Sequence, residues 1–345
     1  MIRRGAFALL LAACAFAGGA PACAQGEDLT VLPAAQNGYQ PKTTEWGEPD
    51  FTGGWPIDFL NGRTPLQREA KHGNRIFLTD EEFAERDAMV QQLEKRYENE
   101  DAQDKIGIGH WAEVGGANRR TSWIVSPADG RLPAYTEEGK RRSGAMHSTW
   151  RRGQDFDWVS DFDSWDRCIT RGLPASMFPF MYNNGMRIHQ APGVVALQLE
   201  MIHETRIIPT DGRPPIPRAI GQWLGESRGH WENGNTLVVE TTNFHPGPSA
   251  TNIGTTGSPP ENDTPVSGEA KLVETFTMTG PDSIVYDFTW EDPVIFTAPW
   301  SARLEWKRDD EYGIFEYACH EGNVQIRNYI TASRAGRAQQ REISQ

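Results

Sequence analysis

The chain has 345 residues, and 34 Lys and Arg face 47 Asp and Glu, for a formal charge of −13. An acidic surface of this size argues against nucleic acid and anionic membranes as partners, because both recruit cations. Beyond the first two dozen residues no run approaches the roughly 18 apolar residues that a transmembrane helix needs. Residues 1–24 themselves have the order of an export leader: a basic n-region (Arg3, Arg4), an apolar h-region over 6–17, and Ala22-Cys23-Ala24 as an A-x-A cleavage site. Leu11-Ala12-Ala13-Cys14 offers an alternative, a lipobox that would leave Cys14 lipidated. Cleavage after Ala24 fits the order of the regions better and predicts a periplasmic protein. Removing Arg3 and Arg4 takes the charge from −13 to −15.

Cys14 and Cys23 fall in the leader, which leaves Cys168 and Cys319 of the four cysteines. Two cysteines in an exported chain suggest one disulfide; two buried free thiols are the alternative. Closing a loop of about 150 residues would constrain the unfolded chain by roughly 4 to 5 kcal/mol in the entropic model. Twelve tryptophans are many for this length. Indoles pack cores or line ligand sites, so the count serves either.

Residues 25–165 read as a loop-rich N-terminal region. The stretch 46–55 is punctuated by Gly and Pro, with Trp46 and Trp55 as anchors. One helix is predicted over 80–97. Thr79 and Glu82 form a capping box, Leu78 and Phe83 a hydrophobic staple, and Phe83, Met89, Val90, Leu93 and Tyr97 only a thin apolar stripe. A strand is expected at 121–125. Acids alternate with aromatics over 155–166 without the spacing or glycine of an EF-hand, which predicts a solvated turn.

Residues 166–335 have the character of a β domain, followed by a polar tail at 336–345. Strands are predicted at 186–190, 194–208, 236–244, 270–279, 283–291, 301–306 and 313–320, with a tight turn at Glu232-Asn233-Gly234-Asn235. Successive short strands without intervening helices imply a mainly β fold, an antiparallel meander forming a lipocalin-like barrel or a sandwich. The Gly, Pro, Thr and Asn run at 252–265 is a long surface loop.

Strand alternation sorts the candidate chemistry onto faces. Across 194–208 one face carries Val195, Leu197, Leu199, Met201, His203, Thr205 and Ile207; the other carries Gln198, Glu200, Ile202, Glu204 and Arg206. His203 is then the one titratable group on an apolar face, either a satisfied core histidine or an acid/base inside a cavity. His320 shares a face with Glu316, which permits a dyad or an exposed strand end. Gly225-Glu226-Ser227-Arg228-Gly229 spaces a serine between glycines but reads as a turn. No H-E-x-x-H, P-loop or G-x-G-x-x-G followed by a helix is present, so no metal or cofactor is expected. Arg167, Tyr182, Asn183 and Asn184 could bond an oxyanion or a sugar hydroxyl and equally could cap turns, and Arg206 or Arg228 could stabilise developing negative charge.

Several segments resemble a secreted family that occurs in many copies in soil Acidobacteria and sphingomonads. They are Asp166-Arg167-Cys168-Ile169, Tyr182-Asn183-Asn184, Glu200-Met201-Ile202-His203 and Gln222-Trp223-Leu224-Gly225-Glu226-Ser227-Arg228, together with 236–244 and 317–323. The resemblance covers most of 120–335 and carries no mechanism. It implies export, and the family's abundance in degraders of plant matter implies a role in taking apart complex carbon. The expectation is a periplasmic, cofactor-independent lyase or hydrolase for a plant-derived aromatic or glycosidic small molecule. His203, His320, Tyr182 and Arg206 would be catalytic, and Arg167, Asn183, Glu200, Trp223 and Arg228 would bind substrate. A periplasmic lipocalin-like carrier of an apolar or aromatic ligand is the alternative, and an envelope scaffold a third.

Overall fold

A computed structural model describes residues 28–35, 38–105, 107, 109–147, 149, 153–252 and 263–344. The leader and most of the 252–265 loop lie outside the described residues.

The N-terminal region is irregular up to β1 (Gly53–Gly54) and then forms α1 (Asp80–Ala102). The capping box is made as expected: Thr79 Oγ1 accepts the Glu82 amide at 3.3 Å, and Glu82 Oε2 accepts the Thr79 amide at 2.9 Å. Only Arg86 and Val90 of the helix are buried, so it lies on the surface. Arg86 docks it by donating to the carbonyls of Asn118 and Arg120. Next come β2 (Ile124–Ser126) and a helix that the sequence reading lacked, α2 (Glu137–Ala145), whose Thr136 Oγ1 accepts the Gly139 amide at 2.9 Å.

The rest is mainly β. The strands are β3 (Met186–Ala191), β4 (Val194–Leu199), β5 (Thr205–Pro209), β6 (Glu226–Glu232), β7 (Thr236–Thr242), β8 (Gly247–Asn252), β9 (Asp263–Val266), β10 (Lys271–Gly280), β11 (Ser283–Glu291) and β12 (Trp300–Lys307). Every pairing is antiparallel, in one sheet ordered β1-β3-β4-β5, a second ordered β2-β12-β11-β10-β7-β6, and the β8-β9 pair. No closed barrel forms among the described residues: β5 and β6 each end a sheet, and the chain passes between them through 210–225. Both sheets feed one apolar core, with Ile188, Leu197 and Ile208 from the first and Val239, Leu272, Tyr286 and Leu304 from the second. Trp55, Trp123, Trp300 and Trp306 are fully buried there, so these indoles serve packing.

The expected single strand over 194–208 is two strands. Residues 200–204 turn between them, with Ile202 and His203 at φ +58° and +45°. The turn changes the parity of burial. Odd residues face inward on β4 (Val195, Leu197, Leu199), whereas even residues do so on β5 (Arg206, Ile208). Alternation extended through the turn therefore puts His203 inside, and the structure puts it outside and Arg206 inside. Arg206 is 3% exposed, and its Nη1 and Nη2 donate to Glu274 Oε1 and Oε2 at 2.9 and 2.5 Å, with Tyr286 OH adding a bond to Oε1 at 2.8 Å.

Three further expectations change. Of the stretch 225–229, read as a turn, residues 226–229 belong to β6, which pairs with β7 across the predicted hairpin turn; Asn233 and Gly234 take φ +53° and +73° in this three-residue connection. Residues 313–320 are irregular, with no strand. The run 155–166 is no solvated turn: Phe156 and Phe162 are buried and stacked at 4.5 Å. They receive Tyr329 of α3 (Gln325–Ile343), the helix that replaces most of the polar tail. Arg334 donates to the Asp157 carbonyl and Arg337 pairs with Asp155, so the acids of the run hold the helix.

Candidate functional site

An open cleft of about 950 Å³ lies between the 165–183 segment and the final wall, residues 316–329. Its chemistry comes from Trp111, Trp165, Asp166, Tyr182, Asn183 and Tyr317. Three separate segments supply the rings, and two glutamates, Glu200 buried and Glu113 half-buried, join those segments.

Glu200 begins the turn after β4. Its Oε1 accepts Asn183 Nδ2 (2.7 Å) and the Phe315 amide (3.1 Å), and its Oε2 accepts the Gly185 amide (2.9 Å) and Tyr312 OH (3.0 Å). Glu113 Oε1 accepts the Asn183 amide at 2.9 Å, and Oε2 accepts the Asn184 amide and Nδ2 at 3.1 and 2.6 Å. Tyr312 OH also lies 3.0 Å from Glu113 Oε1, so one phenolic hydrogen sits between two carboxylates. Burial, reinforced by the charge of Glu200, raises the Glu113 carboxyl above its ordinary range against the hydrogen bonds of Asn184 and Tyr312. Glu113 thereby fixes the segment bearing Trp111, the asparagines fix Tyr182, and the Phe315 amide fixes the approach to Tyr317. Asn183 takes φ +53°, a conformation that asparagine tolerates better than most residues.

Gly185 completes this joint. A Cβ there would sit 2.7 Å from both the Tyr312 ring and the Ile314 side chain, and closer still to Glu200 Oε2. Gly185→Ala is expected to cost about 1 to 3 kcal/mol in thermal unfolding and to change the near-ultraviolet dichroism of the cleft rings.

The final wall is fastened at three points. The disulfide between Cys168 and Cys319 forms, with Cα atoms 5.7 Å apart and a sequence separation of 151. Asn323 Nδ2 donates to the Asp166 carbonyl at 3.2 Å. His203 Nδ1 lies 3.0 Å from the Tyr317 carbonyl and so carries the proton in that bond. Replacing both cysteines by serine is expected to lower stability by about 2 to 4 kcal/mol, measured by denaturant unfolding, and to weaken ligand binding as the wall loosens.

Asp166 is the titratable group with chemistry suited to the cleft. It is half-buried, and Thr149 Oγ1 lies 3.1 and 3.0 Å from its two carboxyl oxygens. Burial first, then the charge of Asp163, raise its pKa to about 7, against the Thr149 hydrogen bond. A carboxyl poised there can hold or release a proton at neutral pH. Tyr182 is raised well above the ordinary phenol range by burial and by Tyr317, so it stays protonated and can donate to developing negative charge.

Of the residues predicted from sequence, Tyr182, Asn183 and Cys319 line the cleft. Glu200 lies beneath it as a structural joint. His203 is exposed and latches Tyr317 from behind, and His320 is exposed in the turn before α3. Arg206 belongs to the core. Arg167 lies over Trp223 at 5.5 Å, and Trp223 stacks on His245 at 4.5 Å, in a separate arrangement. Arg228 pairs with Glu226. Sequence reasoning missed Asp166, Trp111, Trp165 and Tyr317. Asp166 was marked by its position two residues before a cysteine of the disulfide. Among the described residues no group of three or more His, Cys, Asp or Glu could hold a metal, and no helix is long and apolar enough to cross a membrane. No family model matches the chain, and no curated protein matches it.

Proposed function

We propose that the protein is an exported, cofactor-independent enzyme that eliminates or hydrolyses a plant-derived aromatic or glycosidic small molecule in this cleft. The observation that carries the proposal is a half-buried carboxyl, Asp166, raised to about 7 within a cleft walled by aromatic rings. Rings give a flat, apolar surface for an aglycone or a sugar face, and the cleft is of small-ligand size. Asp166 moves the proton, Tyr182 donates to the oxygen that gains charge, and the rings of Trp111 and Tyr317 hold the ligand. The family resemblance and the leader support export, and the disulfide suits an oxidising compartment.

The test is mass-spectrometric product detection. Residues 25–345 and the Asp166→Asn form are incubated with lignin-derived dimers, aromatic glycosides and oligosaccharides. A product that the variant does not make supports the proposal. Saturable binding without any product favours the carrier, a role the same open cleft would serve.

A further inference from the structure

We infer that the cleft sorts ligands by charge and takes a cationic one: a ring compound bearing a protonated or quaternary amine. This rests on the proposal above only in placing the ligand in this cleft. Trp111 and Tyr182 have ring centroids 5.3 Å apart, and Tyr182 and Tyr317 lie 6.5 Å apart with their planes only 22° from parallel. A run of ring faces presents the negative side of each quadrupole, which attracts a cation and is indifferent to a neutral hydroxyl. Trp111 is 54% exposed, so its indole is open to a ligand.

The charged side chains of the cleft point the same way. Asp166, Glu316 and Glu321 line it, and no Lys, Arg or His does so among the described residues. Arg171 is buried behind Trp165 and Phe180, at 5.4 and 5.1 Å from their ring centroids, and does not line the cleft. Glu204 offsets its charge from the far side, and Ser176 Oγ donates to Glu204 Oε2 at 3.2 Å. A ligand amine would thus meet ring faces and carboxylates, whereas a ligand carboxylate would meet like charge with no cation among the described lining residues to offset it. An exposed carboxylate about 6 Å from a ligand charge in water changes affinity by roughly threefold, so Glu316 and Glu321 together are worth about tenfold at low salt.

The experiment uses the full mature chain and three aryl glycosides of matched shape: an amino sugar, its neutral counterpart and its uronic acid. Dissociation constants are measured by calorimetry at low and high ionic strength, for the wild type and for a Glu316→Gln/Glu321→Gln double variant. Both glutamates are exposed, so the double variant leaves the packing intact. The expected order is amino sugar tightest and uronic acid weakest, with steps of about tenfold that narrow in the variant and in high salt, while the ring faces keep the amino sugar tightest. A uronic acid bound as tightly as the amino sugar, or steps that neither the double variant nor high salt narrows, overturns the inference and leaves the proposed function standing. Failure of all three to bind overturns the inference, and product formed from a lignin-derived dimer would still uphold the proposed function.

Discussion

Glu274→Ala is expected to destabilise the protein by about 3 to 5 kcal/mol, because it leaves the Arg206 guanidinium charged and unpaired in the core. Glu274 is completely buried and Arg206 nearly so, and the bidentate pair bridges the two sheets from β5 to β10. Tyr286 OH would lose its acceptor in the same step. The measurement is the urea midpoint, with the slope checked for constancy. Replacing the pair together, as Arg206→Met with Glu274→Leu, is expected to recover much of the loss, since apolar substitutes avoid the cost of desolvating two charges. A Glu274→Ala protein as stable as the wild type would show that the pair is not what joins the sheets. The folded fraction of such variants should turn over substrate normally, because Arg206 lies outside the cleft.

Asp166→Asn is expected to reduce turnover by about 100-fold or more, the usual contribution of a positioned acid or base. The pH dependence identifies which role it plays. If Asp166 acts as an acid, activity falls as pH rises through about 7; if it acts as a base, activity rises there. Either limb should vanish in the variant, and a limb that persists near the same pH would assign it to another group. Stability carries the opposite signature to that of a salt-bridged aspartate. The folded pKa lies above the unfolded value, so the folded state favours the proton, and stability should decline as pH rises from about 4 towards about 7. Asparagine removes that decline, which thermal unfolding across the pH range would detect.

Much of the scaffold was legible because it rests on local rules. Thr79 with Glu82 announced the start of α1, Asn233-Gly234 announced the hairpin, and the two cysteines beyond the expected leader announced the disulfide. What misled was periodicity carried across an irregularity. The turn at 200–204 inverted which residues of β5 face the core, so Arg206 was taken for a catalytic group and His203 for a buried one. The cleft was less visible still. Trp111, Asp166, Tyr182 and Tyr317 are scattered over 206 positions from first to last, and two glutamates with Tyr312 bring their segments together. Such a junction leaves no spacing to read, since its partners meet only after the chain has folded. The acids of 155–166 likewise showed no partner, because the helix that engages Asp155 and Asp157 lies nearly two hundred residues on.

The disulfide has a bearing on when the molecule becomes competent. Both sheets are complete by Lys307, whereas the second wall of the cleft and Cys319 come after it. In chain order the scaffold therefore precedes the site, and the covalent tie of the wall waits until Cys319 has met Cys168 in an oxidising medium. A reduced chain would keep a folded framework with the wall of its cleft one tie short, so under the proposed export the site would be completed only on arrival in an oxidising compartment.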